Sequence, residues 1–194
     1  MDKEKLIRNV AQLLRETPSS SDIVIKDEKE ETRYLFLAKY MIEKAMKEDA
    51  LLHSDDYGSI AIVFHKHPNK KEAVLSNLWQ DLKLAWKVTG IKKGLRALKN
   101  QQLLKTKYPS NEAYLYCWFL GVVPDERGVT DKMLAYKMKD RILALSNEKK
   151  LPLIAETRTK RIAMAYLRYG FKIFEKWDHP NGGKMYFLRY EPGS

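Results

Sequence analysis

The stretch that decides the fold is residues 113–123, which read AYLYCWFLGVV and are followed at once by Pro124. It is rich in aromatic residues, ends in two valines, and lacks a clean alternation of apolar and polar positions. An apolar run of this kind, stopped by a proline, is typical of a strand buried on both faces of a sheet. We therefore expect a long central strand from about Glu112 to Val123.

The segment that follows alternates helical and extended patterns. It predicts a helix over 132–146, a strand over 151–156, a helix over 160–169, and two strands around the turn Asn181-Gly182-Gly183. Strand, helix and strand in this order form a parallel crossover, and the final hairpin adds antiparallel strands. The predicted fold class is mixed α/β: a mostly antiparallel sheet of about six or seven strands with helices on both faces.

The first half of the chain is richer in helix. Its patterns predict helices over 3–16 and 30–48, a hairpin of residues 50–53 and 59–65 around the turn 55–58, and a helical stretch over 70–107 broken near Thr89-Gly90. Pro18 and the serines after it are expected to end the first helix. No linker or repeat divides the chain, so we expect one domain over residues 1–194.

Composition indicates a packed globular protein. Hydrophobic residues make up 44% of the 194 residues and charged residues 31%, which is unlike a disordered chain. Cys117 is the single cysteine, so no intrachain disulfide is expected and a cytoplasmic location is the simplest interpretation. The apolar run at 113–123 is about half the length that a membrane-spanning helix needs, so no membrane association is expected.

The charge balance favours anionic partners. Lysine and arginine number 36 against 25 acidic residues, which gives a net charge of +11 and a pI of about 9.5. Such an excess attracts phosphate groups, although a solvated lysine-rich surface is an equally ordinary explanation. Nucleic acid is an unlikely partner, because the sequence has no arginine-rich arm, zinc-finger spacing or RNP-type aromatic strand.

Two junctions between elements carry the chemistry. In the first, the central strand leads through Arg127-Gly128 into a helix, and amides at a helix N-terminus beside an arginine bind phosphate. An ordinary turn is the alternative. In the second, Glu156 ends a strand, Tyr166 lies on the following helix, and Phe171 opens the next strand after the natural C-cap Gly170.

In this order, the two junctions resemble the two cofactor motifs of GNAT acetyltransferases, and the resemblance covers residues 112–190. It implies a GNAT fold, acetyl-CoA as cosubstrate, and transfer of its acetyl group to a primary amine of a small molecule or protein. The half 111–194 would bind acetyl-CoA and the half 1–110 the acceptor. Residues 59–68, with Tyr108-Pro109 further on, are similar to the puromycin N-acetyltransferase-like branch of the family.

The resemblance also implies where the cofactor binds. The end of the central strand would offer backbone groups to the pantetheine arm of acetyl-CoA, and the next loop would hold the pyrophosphate. Thr130 and Lys132 stand where the family usually has small residues, unless a three-residue insertion places Leu134-Ala135 and Met138 there. The implied cofactor-binding residues are Leu120, Gly121, Val122, Arg127, Gly128, Thr130 and Lys132.

Tyr166 and Glu112 form the predicted catalytic pair. The resemblance makes Tyr166 the acid that protonates the departing thiolate, and a phenol is protonated at neutral pH. The alternative is a core tyrosine packed on Phe171. Ile162 replaces an asparagine that commonly touches the cofactor. For the base, Glu112 at the strand's start and Glu156 at the next strand's end are both candidates.

Two further chemistries are not expected. Cys117 has no histidine close in sequence, so nucleophilic catalysis is disfavoured. His65 and His67 have metal-like spacing without an evident third ligand, so no metal is predicted. The sequence leaves open a homodimer. It also leaves open a second function class, a GNAT-fold module that binds CoA or regulates without turnover, because the loop glycines and the asparagine are missing.

Overall fold

The computed structural model describes residues 1–68, 88, 106–123, 129–180 and 182–193, with the side chains of 129–131 left out. Within them, helices precede the first strand, and strands and helices then alternate. The predicted break near Thr89-Gly90 lies outside the described residues. The elements are α1 (Lys3–Arg15), α2 (Pro18–Ile23), α3 (Glu30–Lys47), β1 (Leu51–His53), β2 (Ser59–Lys66), β3 (Tyr114–Val122), α4 (Val129–Lys149), β4 (Leu153–Thr157), α5 (Lys160–Arg168), β5 (Lys172–Asp178) and β6 (Lys184–Tyr190).

The strands form one six-stranded sheet in the order β1-β2-β3-β4-β6-β5. Only β3 and β4 run parallel; the other neighbours are antiparallel. The crossover through α4 supplies that parallel pair, as the strand–helix–strand pattern predicts. The predicted mixed α/β fold with its mostly antiparallel sheet is confirmed, and β3 is the predicted central strand.

Helices cover both faces of the sheet. On the first face, α1 and α3 pack on alternate residues of β2, namely Ile60, Ile62 and Phe64. On the second face, Ala61 and Val63 of β2 join Met138 and Ile142 of α4 and Ala163 of α5. We call these the α1/α3 face and the α4/α5 face. The alternation of β2 between them is the period-two pattern of a strand covered on both sides.

Several boundaries differ from the sequence predictions, among them the start of β3 at Tyr114 and the end of α4 at Lys149. The first helix does end before Pro18, at Arg15, but Pro18 itself begins the short helix α2. Proline is favoured at the first helical position because the missing amide hydrogen would have no intrahelical partner there. Helix α4 begins at Val129 and not at Lys132, and β4 begins at Leu153 and not at 151.

The central strand contains a bulge. Ile62 of β2 pairs with Phe119 while Val63 pairs with Cys117, so Trp118 has no partner of its own. Before the bulge, Leu115 and Cys117 are buried on the α4/α5 face. After it, Phe119 is buried on the α1/α3 face. A bulge turns the strand in this way because the extra residue shifts the alternation by one position.

Gly121 is the closest approach of α1 to the sheet. A Cβ atom placed there would lie 2.8 Å from Cδ1 of Leu13 and 3.2 Å from Cζ of Phe119. Gly121→Ala is therefore expected to cost about 1–3 kcal/mol of the free energy of unfolding, because it overpacks a filled core. Leu13→Ala is expected to cost about 2–5 kcal/mol alone. Denaturant unfolding of the double variant should give less than the sum of the two losses, and strict additivity would contradict the assigned contact.

Candidate active site

The two parallel strands separate in the middle of the sheet. Their pairing covers Leu115–Cys117 of β3 against Leu153–Ala155 of β4 and ends there, although β3 continues to Val122 and β4 to Thr157. Strands that stop pairing leave main-chain donors and acceptors on their facing edges. A ligand with an amide-containing chain can satisfy these groups as an additional strand does. We call this opening the wedge.

Tyr166 lies beside the wedge on the α4/α5 face. It lies in the last turn of α5, and its ring packs edge-on against Phe171 at a centroid distance of 4.8 Å. Its side chain packs in the same buried cluster as Cys117. Burial raises the pKa of Tyr166 well above its ordinary value, so the phenol keeps its proton. A shallow hollow beside it is lined by Cys117, Leu120, Lys139, Ile142, Leu143, Leu153, Tyr166 and Phe171.

Glu156 lies at the wedge on the other face. The Tyr116 hydroxyl donates a 3.0 Å hydrogen bond to its Oε1. Its Oε2 is buried without a hydrogen-bond partner among the described residues. Burial raises the pKa of Glu156 to about 7, because water no longer stabilises the charged form. A carboxylate with an unused oxygen and a pKa near neutrality is suited to accept a proton.

Glu112, the predicted base, is engaged elsewhere. Both oxygens of its carboxylate accept hydrogen bonds from the guanidinium of Arg189 on β6. This contact holds the pKa of Glu112 below its ordinary value. A carboxylate fixed in a two-point ion pair is a poor proton acceptor, since protonation would break the pair. The geometry therefore favours Glu156, the other candidate, and the choice of base stays a prediction.

The sheet separates the two groups that can exchange protons. Tyr116 packs with the cluster on the α1/α3 face, and Cys117, its neighbour in the chain, belongs to the cluster on the α4/α5 face. Glu156 is hydrogen-bonded to Tyr116, and Tyr166 packs in the same cluster as Cys117. A reacting group in the wedge would therefore have a proton acceptor on one side and a proton donor on the other.

The structure describes only some of the predicted cofactor-binding residues. Leu120, Gly121 and Val122 form the end of β3 beyond its last pairing with β4, next to the wedge. Arg127 and Gly128 lie outside the described residues, as does the side chain of Thr130 in the first turn of α4. Lys132 is exposed on the same helix. The phosphate contacts of this loop stay a prediction.

Three large apolar side chains on α4 and α5 are exposed. Ile162 of α5 is 46% exposed, and Met133 and Tyr136 on the first half of α4 are 53% and 48% exposed. The alternative alignment with a three-residue insertion places Met138 in the phosphate loop. Met138 is buried in the core, so it is a packing residue.

The remaining candidates are Cys117 and the pair His65 and His67, and among the described residues they form no functional site. Burial raises the pKa of the Cys117 thiol to about 12, which leaves it protonated and a poor nucleophile. The rings of His65 and His67 lie 4.0 Å apart. Within the part of the chain that the structure describes, no three His, Cys, Asp or Glu side chains group as metal ligands. No helix in that same part is long and apolar enough to cross a bilayer.

Sequence reasoning missed Tyr116. One signal pointed to it: in a strand that alternates between two covered faces, a tyrosine is unusual without a polar partner for its hydroxyl. The partner is 40 residues away in sequence, so only the pairing of β3 with β4 brings it near.

Comparisons with known proteins agree with this architecture. No protein-family model matches the sequence, and no curated protein does. Among solved structures, the chain is similar to a histone acetyltransferase HPA2-related acetyltransferase from Corynebacterium glutamicum, at 12% identity and a TM-score of 0.69, over 100% of this chain and 92% of that one. Arylalkylamine N-acetyltransferase 2 from Aedes aegypti gives 13% identity and a TM-score of 0.64 over 97% and 94%.

A third similar structure is the polyamine N-acetyltransferase of Drosophila melanogaster, at 12% identity and a TM-score of 0.58, over 97% of this chain and 93% of that one. At such identities the likeness establishes the fold. The chain therefore has the fold of the GNAT N-acetyltransferases, as the resemblance of its two junctions implies. The puromycin N-acetyltransferase-like branch is not distinguished by these matches and stays a prediction.

Proposed function

We propose that this protein is an N-acetyltransferase that moves the acetyl group of acetyl-CoA to a primary amine by direct attack. One observation carries the proposal. At the point where β3 and β4 part, a carboxylate with a pKa of about 7 and a protonated phenol lie on opposite faces of the sheet. Amide formation from a thioester needs a proton taken from the amine and a proton given to the sulfur.

Glu156 is the proton acceptor in this proposal. Its unpartnered Oε2 can take the proton of the attacking amine, directly or through one water. With a pKa of about 7, the group is ionised at slightly alkaline pH and remains basic enough to bind a proton. The acceptor then approaches from the α1/α3 face, to which the half 1–110 contributes α1 and α3.

Tyr166 is the proton donor. Because its pKa is raised, the phenol is protonated throughout the neutral range, and its hydroxyl lies at the wedge on the α4/α5 face. It can give its proton to the sulfur that leaves on that side, and recover it from solvent afterwards. Its packing on Phe171 serves the same role by fixing the ring.

The residues around the wedge fit acetyl-CoA. The unpaired edge of β3 from Trp118 to Val122 offers main-chain groups to an amide-containing arm, and the hollow beside Tyr166 is lined largely by apolar side chains. When bound, acetyl-CoA supplies an activated acyl group on a good leaving thiol. The residues of this chain bind that arm, hold the base and the acid, and exclude water from the reacting carbon.

A small amine is the favoured acceptor. Two of the similar structures are named for arylalkylamines and polyamines, which are small amines. The net charge of +11 disfavours polycationic acceptors, whether a protein tail or a polyamine, through long-range repulsion, and so favours a small amine with a single charge. The exposed side chains of Met133, Tyr136 and Ile162 are on α4 and α5, the helices of the cofactor side, so they do not bear on the acceptor.

The second candidate is a CoA-binding or regulatory module without turnover. The absence of the family's loop glycines and the exposure of Ile162 at the asparagine position favour it. A thermal melt with acetyl-CoA tests binding, since a ligand that binds only the folded state raises Tm. Release of free thiol in the presence of a panel of primary amines tests turnover. Stabilisation without thiol release would support the module.

Arg127 provides a test of the phosphate loop. The position next to a helix N-terminus predicts that Arg127→Glu weakens acetyl-CoA binding more than Arg127→Ala, because reversal adds repulsion to the lost attraction. We expect a loss of about 10-fold for alanine and more for glutamate, measured by isothermal titration. Lys132→Ala, one turn into the helix, is the comparison variant. Unchanged affinity in both Arg127 variants would place the phosphates elsewhere.

A further inference from the structure

Two adjacent residues of β3 each contact one of the proton-transfer groups. Tyr116 donates to Glu156 on the α1/α3 face, and Cys117 lines the same hollow as Tyr166 on the α4/α5 face. Both residues occupy the last two paired positions before β3 and β4 separate, opposite Ile154 and Ala155. Side chains of neighbouring strand residues point to opposite faces, so one dipeptide reaches both sides of the wedge.

We propose that Tyr116 and Cys117 are a pair of positioning residues: Tyr116 holds the carboxylate of the base, and Cys117 holds the hydroxyl of the acid. The proposal rests on the proposed function and adds to it the device that sets the geometry of both groups. Neither side chain exchanges a proton with a substrate. Each restrains the group that does.

On the base side, the hydrogen bond from Tyr116 is the one polar contact of the buried Glu156 carboxylate among the described residues. Tyr116 contacts Oε1 at 3.0 Å, while Oε2 has no partner in the described part of the chain. The Tyr108 hydroxyl lies 3.5 Å from the Tyr116 hydroxyl and continues the line toward the segment before β3. A donor to the ionised form lowers a carboxyl pKa, so Tyr116 opposes the effect of burial and fixes which oxygen stays unused.

Two cations of the segments near Glu156 are in ion pairs. Lys107 contacts Glu175 of β5 at 3.3 Å. Arg158, just after β4, is paired with Asp22 of α2, although its Nε has no hydrogen-bond partner among the described residues. The cross-strand neighbour of Glu156 on β6 is Phe187, which does not titrate. Burial is the one cause of the raised Glu156 pKa that the described residues give, so the Tyr116 hydroxyl is the described contact whose removal we expect to change the titration of Glu156.

On the acid side, the contact continues into the bulge. Cys117 and Tyr166 belong to the same buried cluster and line the same hollow. The thiol lies 3.8 Å from the carbonyl oxygen of Phe119, which follows the bulged Trp118. In the proposed arrangement, the Tyr166 hydroxyl contacts this thiol, and the chain of contacts ends on the backbone of the central strand.

Tyr116→Phe tests the base side. We expect the pKa of Glu156 to rise by about one unit, because the ionised form loses its hydrogen-bond donor. NMR of ¹³C-carboxyl glutamate measures this pKa, and the Glu156→Gln variant assigns the signal. The acidic limb of kcat should move to higher pH by the same amount. Tyr114→Phe makes the same change two residues earlier on the strand and should move neither quantity. An unchanged Glu156 pKa in Tyr116→Phe would overturn this half of the proposal.

Cys117→Ala tests the acid side. It should lower kcat by about 10-fold while acetyl-CoA affinity stays the same, and Cys117→Ser should recover most of the loss because a hydroxyl can accept and donate the same bonds. In a Tyr166→Phe background, Cys117→Ala should have no further effect, since the hydroxyl that it positions is gone. Equal losses in both backgrounds, or no recovery by serine, would show a packing role and overturn the proposal.

The experiments separate this proposal from the proposed function. The NMR titration needs no turnover, so a shift of the Glu156 pKa in Tyr116→Phe with an inactive parent protein would reject the acetyltransferase activity and keep the hydrogen bond. An active parent in which Tyr116→Phe leaves the Glu156 pKa unchanged would keep the activity and reject the positioning.

Discussion

Tyr166→Phe is expected to lower kcat by about 10²-fold or more while leaving acetyl-CoA affinity nearly unchanged. The variant keeps the ring that packs on Phe171 at 4.8 Å and removes only the buried hydroxyl. Its effect on stability should be about 1 kcal/mol, the usual value of one hydrogen bond. Proton donation needs the hydroxyl, whereas packing needs the ring, so the ratio of the two effects separates the roles.

The matched control is Tyr169→Phe, three residues further along the chain. Tyr169 packs against Tyr136 and Lys139 outside the wedge, and its loss of a hydroxyl should leave kcat within about twofold. Steady-state rates on one accepted amine, with acetyl-CoA binding and thermal melts in parallel, give all three quantities. A Tyr166→Phe variant as fast as the parent protein would make Tyr166 structural, with the thiolate leaving unaided or protonated by water.

Glu156→Gln is the second large effect expected. Glutamine fills the same space and can still accept the Tyr116 hydrogen bond, but it cannot take a proton from the amine. We expect kcat/KM to fall by about 10²–10³-fold, the range for a general base. The acidic limb of the parent protein, centred at about pH 7 by the raised pKa of Glu156, should disappear in the variant. The limb due to the amine itself remains in both proteins.

The same variant should be more stable than the parent above neutral pH. A carboxyl whose pKa is raised on folding contributes stability that is fully present below its unfolded pKa and is lost as pH rises through about 7. Glutamine does not titrate, so the Tm difference between variant and parent should increase between about pH 4.5 and 7 and level off above. Loss of activity with a gain of stability is typical of a functional buried charge.

Glu112→Gln is the control for the choice between the two carboxylates. It breaks the contact with Arg189 that lowers the Glu112 pKa, so stability should fall at neutral pH and recover relative to the parent in acid. Turnover of the folded variant should stay near that of the parent. If Glu112→Gln loses turnover and Glu156→Gln keeps it, Glu112 is the base and the interpretation given to its ion pair is wrong.

Much of the fold is readable from local patterns. The stretch 113–123, the two helices after it and the final hairpin each have a period or a turn signal that indicates its element. The boundaries that differ include both ends of α4, the starts of β3 and β4, and the helix that begins at Pro18. At each of these, capping and tertiary contacts decide where an element begins, and neither is visible in hydrophobic periodicity.

The site was only partly predictable for a different reason. The family resemblance implies Tyr166, but the distinction between Glu112 and Glu156 depends on contacts 77 and 40 residues apart in sequence. The pairings of β3 with β4 and of β4 with β6 together bring Glu112 near Arg189, and the pairing of β3 with β4 brings Tyr116 near Glu156. No local pattern encodes which carboxylate meets an arginine and which is buried beside a tyrosine.

The most direct measurement of the central claim is acetyl-CoA turnover with a panel of small primary amines, read as free thiol and as acetylated product by mass. The account predicts thiol release that depends on the amine, one acetyl group on the product for each thiol, and no acetylated protein at the end. It also predicts that Tyr166→Phe and Glu156→Gln slow both signals together. Binding of acetyl-CoA with no amine-dependent thiol release, or release through an acetylated protein intermediate, would contradict it.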